Sequence, residues 1–207
     1  MSQSNIFDFS QVSRIYYTHE QLSKIRSARI GIAGAGGLGS NCAIALVRCG
    51  FEKLVIADFD TIALSNLNRQ QYFSDDLGKS KVECLAAYLQ KINPSIDCQI
   101  EQLRINSENV HDLFSECGCV VEGFDNAESK AMLVGEILGS GKLLVSVSGL
   151  GGHGMSDRIV TRKMRDNFYL IGDGVSEVGI DTKPFAPCVM IAAAKQADVV
   201  LNWVLNS

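Results

Sequence analysis

The sequence predicts an α/β fold in which a doubly wound, mainly parallel sheet carries helices on both faces and a small β elaboration near its C-terminal end. Three observations carry that expectation. Short apolar runs alternate with amphipathic stretches at helical spacing, so the order reads as repeated strand-helix-strand units. The first apolar run opens directly into a glycine-rich turn, Gly34-Ala35-Gly36-Gly37-Leu38-Gly39-Ser40-Asn41. The runs are short and mostly apolar throughout, as strands buried on both faces must be.

Taken in order, strands are expected at Arg29 to Ala33, Lys53 to Ala57, Gln99 to Leu103, Cys119 to Glu122 and Lys142 to Val147, with a later pair around Asp157 to Lys163 and Phe168 to Ile171. Helical patterns fall between them at Ser40 to Arg48, Lys79 to Ile92, Ser107 to Phe114 and Ser129 to Leu138, and a last one runs from Cys188 to Leu205. No repeat, low-complexity tract or linker interrupts the chain. One domain over residues 1–207 is therefore expected, with a helical N-terminal segment over 1–27 and an elaboration over 149–187, where glycine and charge are richer.

With 207 residues, 46% of them hydrophobic and 20% charged, the chain is long enough for one sizeable core. Its net charge of -4 argues against general binding to nucleic acid or to an anionic membrane, since both need a basic surface. The start, MSQSNIFDFS, lacks the basic and apolar regions of a signal peptide, and no apolar run approaches the roughly eighteen residues of a membrane span. A cytoplasmic location is expected. Seven cysteines, an odd number scattered through apolar segments, read as buried free thiols rather than a disulfide framework. Only Cys117 and Cys119 lie close together, which is poor spacing for zinc, and no structural zinc is expected.

Gly34-x-Gly36-x-x-Gly39 satisfies a dinucleotide fingerprint, and Asp58 ends the next strand where an acidic residue would hold a ribose. Glycine lets the backbone approach phosphate, and the following helix offers free N–H groups at its positive end. On this motif alone the ligand is a nucleotide of either kind, or the turn is tight and binds nothing. Past Asp58 the chain runs Phe59-Asp60-Thr61-Ile62-Ala63-Leu64-Ser65-Asn66-Leu67-Asn68-Arg69-Gln70, and Gly78-Lys79-Ser80-Lys81 adds lysines at a helix start. A redox dinucleotide has little use for those cations, whereas a triphosphate needs its charge neutralised.

The segments GAGGLGS at 34–40, DFDTIALSNLNRQQYF at 58–73, GKSK at 78–81 and the pair Asp125-Asn126 resemble the ThiF, MoeB and HesA superfamily, which includes the catalytic domain of ubiquitin-activating enzymes. The stretches at 154–174 and 186–200 look most like its short ThiF group. That resemblance implies a Rossmann-like adenylation domain and an ATP-dependent adenylyltransferase. Its substrate would be the C-terminal glycine of a ubiquitin-like sulfur carrier ending in Gly-Gly, ThiS-like and serving thiamine biosynthesis, and the enzyme would be a homodimer.

By the same resemblance, Gly34, Gly36, Gly37 and Gly39 cradle the nucleotide, Asp58 holds the ribose with Asp60 nearby, and Asn66 and Gln70 line the pocket. Arg69 and Lys81 grip the phosphates and, with Asp125, form the catalytic set. Asp125 takes a magnesium ion, although by position it is equally suited to cap the helix that includes Ser129. Arg14 is the candidate for the arginine that reaches a partner subunit's nucleotide. Longer relatives carry two C-x-x-C pairs that this chain lacks. Cys188 reads either as a reactive thiol or as a small buried side chain. The basic run Arg158, Arg162, Lys163 and Arg165 suits docking of an acidic carrier or a solvated strand face, and His153 suits the carrier tail or a plain loop. An NAD-dependent oxidoreductase and a non-catalytic scaffold for a ubiquitin-like tail are the alternatives.

Overall fold

A computed structural model describes residues 8–176, 179 and 182–207. The start of the expected N-terminal segment, residues 1–7, and residues 177, 178, 180 and 181 of the expected elaboration lie outside the described residues. Strands β1 (Arg29–Ala33), β2 (Lys53–Ala57), β3 (Asp97–Glu101), β4 (Cys119–Glu122), β5 (Leu143–Val147), β6 (Val160–Arg165) and β7 (Phe168–Gly172) form one sheet in the order β3-β2-β1-β4-β5-β7-β6. All neighbours are parallel except the edge strand β6, which runs antiparallel to β7. The stretch after Gly149 thus adds two strands to the same sheet.

Strand alternation divides the core between the two faces. Ile30 and Ile32, Leu54 and Ile56, Cys119 and Val121, and Leu143 and Val145 face helices α2 (His19–Ser27), α3 (Gly37–Arg48), α4 (Lys81–Ile92) and α7 (Ala186–Asn206). The intervening Ala33, Val55, Ala57, Val120 and Leu144 face α5 (Val110–Leu113) and α6 (Ala127–Ile137). Gly31 is required on that second face: a Cβ there would lie 2.5 Å from the ring of Phe114, which is fully buried.

Four departures from the sequence-based expectations have local causes. Strand β3 begins two residues early and ends at Glu101, because its partner strand ends at Ala57, its register mate. The helix expected over Ser107 to Phe114 is a single turn. Asn106 and Asn109 engage nearby backbone instead, each side-chain oxygen accepting from the other residue's N–H. Helix α3 starts at Gly37, inside the glycine turn, with the Ser40 N–H already donating to the Gly36 carbonyl at 2.9 Å. Helix α7 is 21 residues long and apolar enough by length and composition to cross a membrane, with half of its most apolar window buried in the fold. It packs against α3 and α2, and its buried Gln196 donates to the carbonyls of Glu122 and Val145.

All seven cysteines are free thiols. Burial pushes Cys117 up to about 11 and Cys98 up to about 12, so neither is a nucleophile at neutral pH. Cys188 is 6% exposed on α7, in the packing position of the two that its sequence context allowed.

Candidate active site

The strand order reverses direction between β1 and β4, and open sheets of this kind bind ligands in the crevice at that point. A cavity of about 690 Å³ lies there, at the carboxyl ends of β1, β2, β4 and β5. First-turn residues of three helices line it: Gly37 of α3, Lys81 of α4, and Ala127 and Ser129 of α6, with Pro184 and Val189 bringing in the start of α7. The positive ends of their aligned peptide dipoles make the cavity favourable for an anion.

Of the residues expected to contact a nucleotide, Gly34, Gly36, Gly37, Asp58, Asp60, Asn66, Arg69, Gln70, Lys81 and Asp125 all line this cavity. Two do not. Gly39 is buried behind the turn, where its hydrogen takes the only space available: a Cβ would sit 1.8 Å from the Gly34 carbonyl oxygen. Its place in this structure is a packing contact between turn and helix, off the cavity wall. Arg14, at the end of the short α1 (Ser10–Ser13), is exposed and absent from the lining of its own chain's cavity.

The turn is held from both sides. The Ala35 N–H donates to Asp58 Oδ2 at 2.7 Å, and the Tyr72 hydroxyl donates to the Ala35 carbonyl at 2.7 Å, with the Lys81 carbonyl 3.2 Å away. Asp58 Oδ1 accepts from the Asp60 N–H at 2.8 Å. Burial pushes the Asp58 carboxyl above its usual range, opposed by the nearby Lys81 ammonium and by those two N–H groups. Each carboxylate oxygen retains capacity for a further donor, such as a ribose hydroxyl. Tyr72→Phe strands the buried Ala35 carbonyl and is expected to lower unfolding free energy by about 1–2 kcal/mol in a urea titration. A variant as stable as the parent would show the hydroxyl to be dispensable.

Lys81 is buried and its ammonium pairs with Asp60 Oδ2 at 2.7 Å. Arg69 is folded back onto its own loop, Nη1 donating to the Ser65 carbonyl and to Asn68 Oδ1, each at 2.8 Å. Asn41 ties that loop to the turn, donating to the carbonyls of Gly37 and Arg69. The Gln70 amide lies over Gly36, and its buried oxygen has no partner among the described residues, as befits an acceptor facing a ligand. Of the two roles open to Asp125, the helix cap falls to Asn126, whose side chain accepts from the Ser129 N–H at 2.8 Å. The Asp125 carboxylate is exposed on the cavity wall with no hydrogen bond or ion pair to a described residue.

Sequence reasoning missed other lining groups. Arg104 stacks over the Phe59 ring at 4.0 Å, and Leu103 and Ile105 stand beside it, just past β3. Lys130 lines the cavity while pairing with Glu122. A carboxylate closing an otherwise apolar strand was the available signal, because a buried charge demands a partner.

Fold and site define a doubly wound, Rossmann-like α/β protein with an anion-favouring cavity behind a glycine turn at its topological switch point. The chain belongs to the ThiF family, whose profile matches residues 10–207. It is 32% identical over 146 residues to the tRNA threonylcarbamoyladenosine dehydratase of Haemophilus influenzae, covering 70% of this chain and 56% of that one. It is 33% identical over 115 residues to the SAMP-activating enzyme E1 of Haloferax volcanii, covering 55% of this chain and 43% of that one. The yeast adenylyltransferase and sulfurtransferase UBA4 matches at 32% identity over 132 residues, 63% of this chain and 30% of that one. The chain therefore spans about half, or less, of these curated relatives. Among solved structures, E. coli TcdA in complex with AMP shares the fold at a TM-score of 0.85 and 20% identity, covering 96% of this chain and 94% of that one. These names are for tRNA modification, for SAMP activation and for adenylyl and sulfur transfer; none of them names ThiS or thiamine.

Proposed function

We propose that the chain is an ATP-dependent adenylyltransferase that activates a carboxylate as its acyl-adenylate and releases pyrophosphate. The observation that carries this reading is the convergence of the glycine turn, Asp58, Arg69, Lys81 and the unpartnered Asp125 on one cavity lined by helix N-termini. Asp58 would hold the ribose, the N–H groups of the turn and the side chains of Arg69 and Lys81 would hold the phosphates, and Asn66 and Gln70 would position them. The nucleophile is already an anion, so no general base is required. Catalysis is positioning together with stabilisation of charge developing at the α-phosphate. Lys81 exchanges its Asp60 partner for a phosphate oxygen as ATP enters.

Asp125 fits a magnesium ion: it is a free carboxylate, and among the described residues no three His, Cys, Asp or Glu side chains gather to cage a metal. Asp125 would hold the ion, and the ion would supply neutralisation of the phosphate charge.

For the substrate we propose the C-terminal Gly-Gly carboxylate of a small ubiquitin-like carrier, ThiS-like by the motif resemblance and serving sulfur transfer in thiamine synthesis. Relatives named for SAMP and ubiquitin-like modifiers support the carrier kind. A homodimer would let Arg14, flanked by the exposed Ile15 and Tyr16, reach a partner's cavity. A second reading, the carboxylate of a threonylcarbamoyl group on tRNA, is favoured by the end-to-end match to the E. coli dehydratase fold.

The test is ATP-pyrophosphate exchange with magnesium, in the presence of a ThiS-like carrier, the same carrier lacking Gly-Gly, or threonylcarbamoylated tRNA. Exchange that needs the terminal glycine and falls at least ~100-fold in Asp125→Ala is expected. Exchange driven only by tRNA would establish the second reading. ATP binding without exchange in any arm would leave a scaffold.

A further inference from the structure

Glu122 is the last residue of β4, is wholly buried, and has no part in the chemistry proposed above. A carboxylate in such a place is costly unless every lone pair is met. Here five donors meet it. Lys130 Nζ donates to both oxygens at 2.9 Å, the Phe124 N–H to Oε1 at 2.7 Å, the Ser146 hydroxyl to Oε2 at 2.7 Å, and the Val147 N–H to Oε2 at 3.2 Å. The third proton of Lys130 goes to the Val147 carbonyl at 3.1 Å, so its ammonium is fully engaged and has no donor left for a phosphate.

These bonds join three places that bound the cavity. Phe124 immediately precedes Asp125. Lys130 stands on α6, one turn beyond the Asn126 cap, and Val147 ends β5 and leads into Ser148, Gly149 and Leu150 on the opposite wall. One buried charge therefore sets the spacing between the loop that carries Asp125 and the wall across from it. Stability alone gives little reason for such an arrangement, since apolar residues of similar volume commonly replace buried ion pairs without loss.

We propose that Glu122 and Lys130 are positioning residues that hold Asp125 at the distance from bound ATP that a magnesium ion requires. The inference rests on the assignment of ATP and magnesium to this cavity. In wild type, ATP affinity measured by calorimetry is expected to be higher with magnesium than with EDTA. In Glu122→Gln/Lys130→Met, which removes both charges and leaves none stranded, affinity in EDTA should stay at the parent value. The gain from magnesium should fall by about tenfold or more, the usual cost of removing a group that orients a metal ligand. Ser146→Ala removes one donor and strands no charge, which keeps the test readable if the double variant folds poorly; a loss of the magnesium gain by about threefold is expected.

A role in stability alone would change melting temperature and leave the magnesium gain untouched in every folded variant, and that result would overturn the proposal. A wild-type protein that binds no ATP would instead overturn the functional reading, and the positioning role with it.

Discussion

Gly39→Ala is expected to abolish ATP binding and to destabilise the fold by about 3 kcal/mol, the upper end for overpacking, because backbone rather than a flexible side chain must yield. The added Cβ would lie 1.8 Å from the Gly34 carbonyl oxygen, 2.9 Å from its carbonyl carbon and 3.2 Å from Ile32 Cγ2. Gly34 has no room to retreat. Its φ of +103° belongs to the left-handed region that favours glycine, and its N–H donates to the Ala57 carbonyl at 2.8 Å. Relief must come from moving α3 away from the turn, which carries off the N–H groups proposed to hold phosphate. Urea unfolding and ATP titration would measure the two effects. Parent-like ATP affinity in the folded variant would show that the turn does not hold the nucleotide.

Lys81→Met should reduce ATP-pyrophosphate exchange by about 100- to 1000-fold, the range for removing a group aimed at developing charge. The stability cost should be about 1 kcal/mol or less, because the abandoned Asp60 carboxylate is 45% exposed and remains hydrated. That asymmetry separates a catalytic role from a structural one. Equal losses of stability and exchange would make Lys81 a packing residue whose ion pair with Asp60 is its purpose.

Much of this site was legible because its parts are local in the chain. The spacing Gly34, Gly36, Gly39 forecasts a strand-turn-helix, and Asp58 falls at a strand end, so both reach the same edge of a parallel sheet whichever helices cover it. Arg69 and Lys81 were assigned by the register of a motif, and both line the cavity, but their present partners were not foreseeable. An ammonium in a motif does not announce that Asp60 holds it. The reading of Asp125 as helix cap or ligand site could not be decided in the sequence, since Asp and Asn serve equally well at an N-cap. Backbone geometry gave the cap to Asn126.

The family motifs also left the substrate open. The relatives that match are named for different tasks. The walls on the far side of the cavity, Ser148 to Leu150 and Pro184, come from segments without a motif, and they meet through a bridge between Gly152 and Pro184.

By itself the sequence determined the alternation of strands and helices, the parallel sheet, the glycine turn and the carboxylate at the end of the second strand. Each of these depends on neighbours a few residues away, through periodicity, capping or the freedom of glycine. Only the tertiary structure decided that Gly39 serves packing, that Arg104 stacks on Phe59, and that Glu122 gathers Phe124, Lys130, Ser146 and Val147 around one buried charge. Those outcomes depend on which distant groups meet in a low-dielectric interior. There a charge must find its donors through space, and the chain's order does not say which they will be.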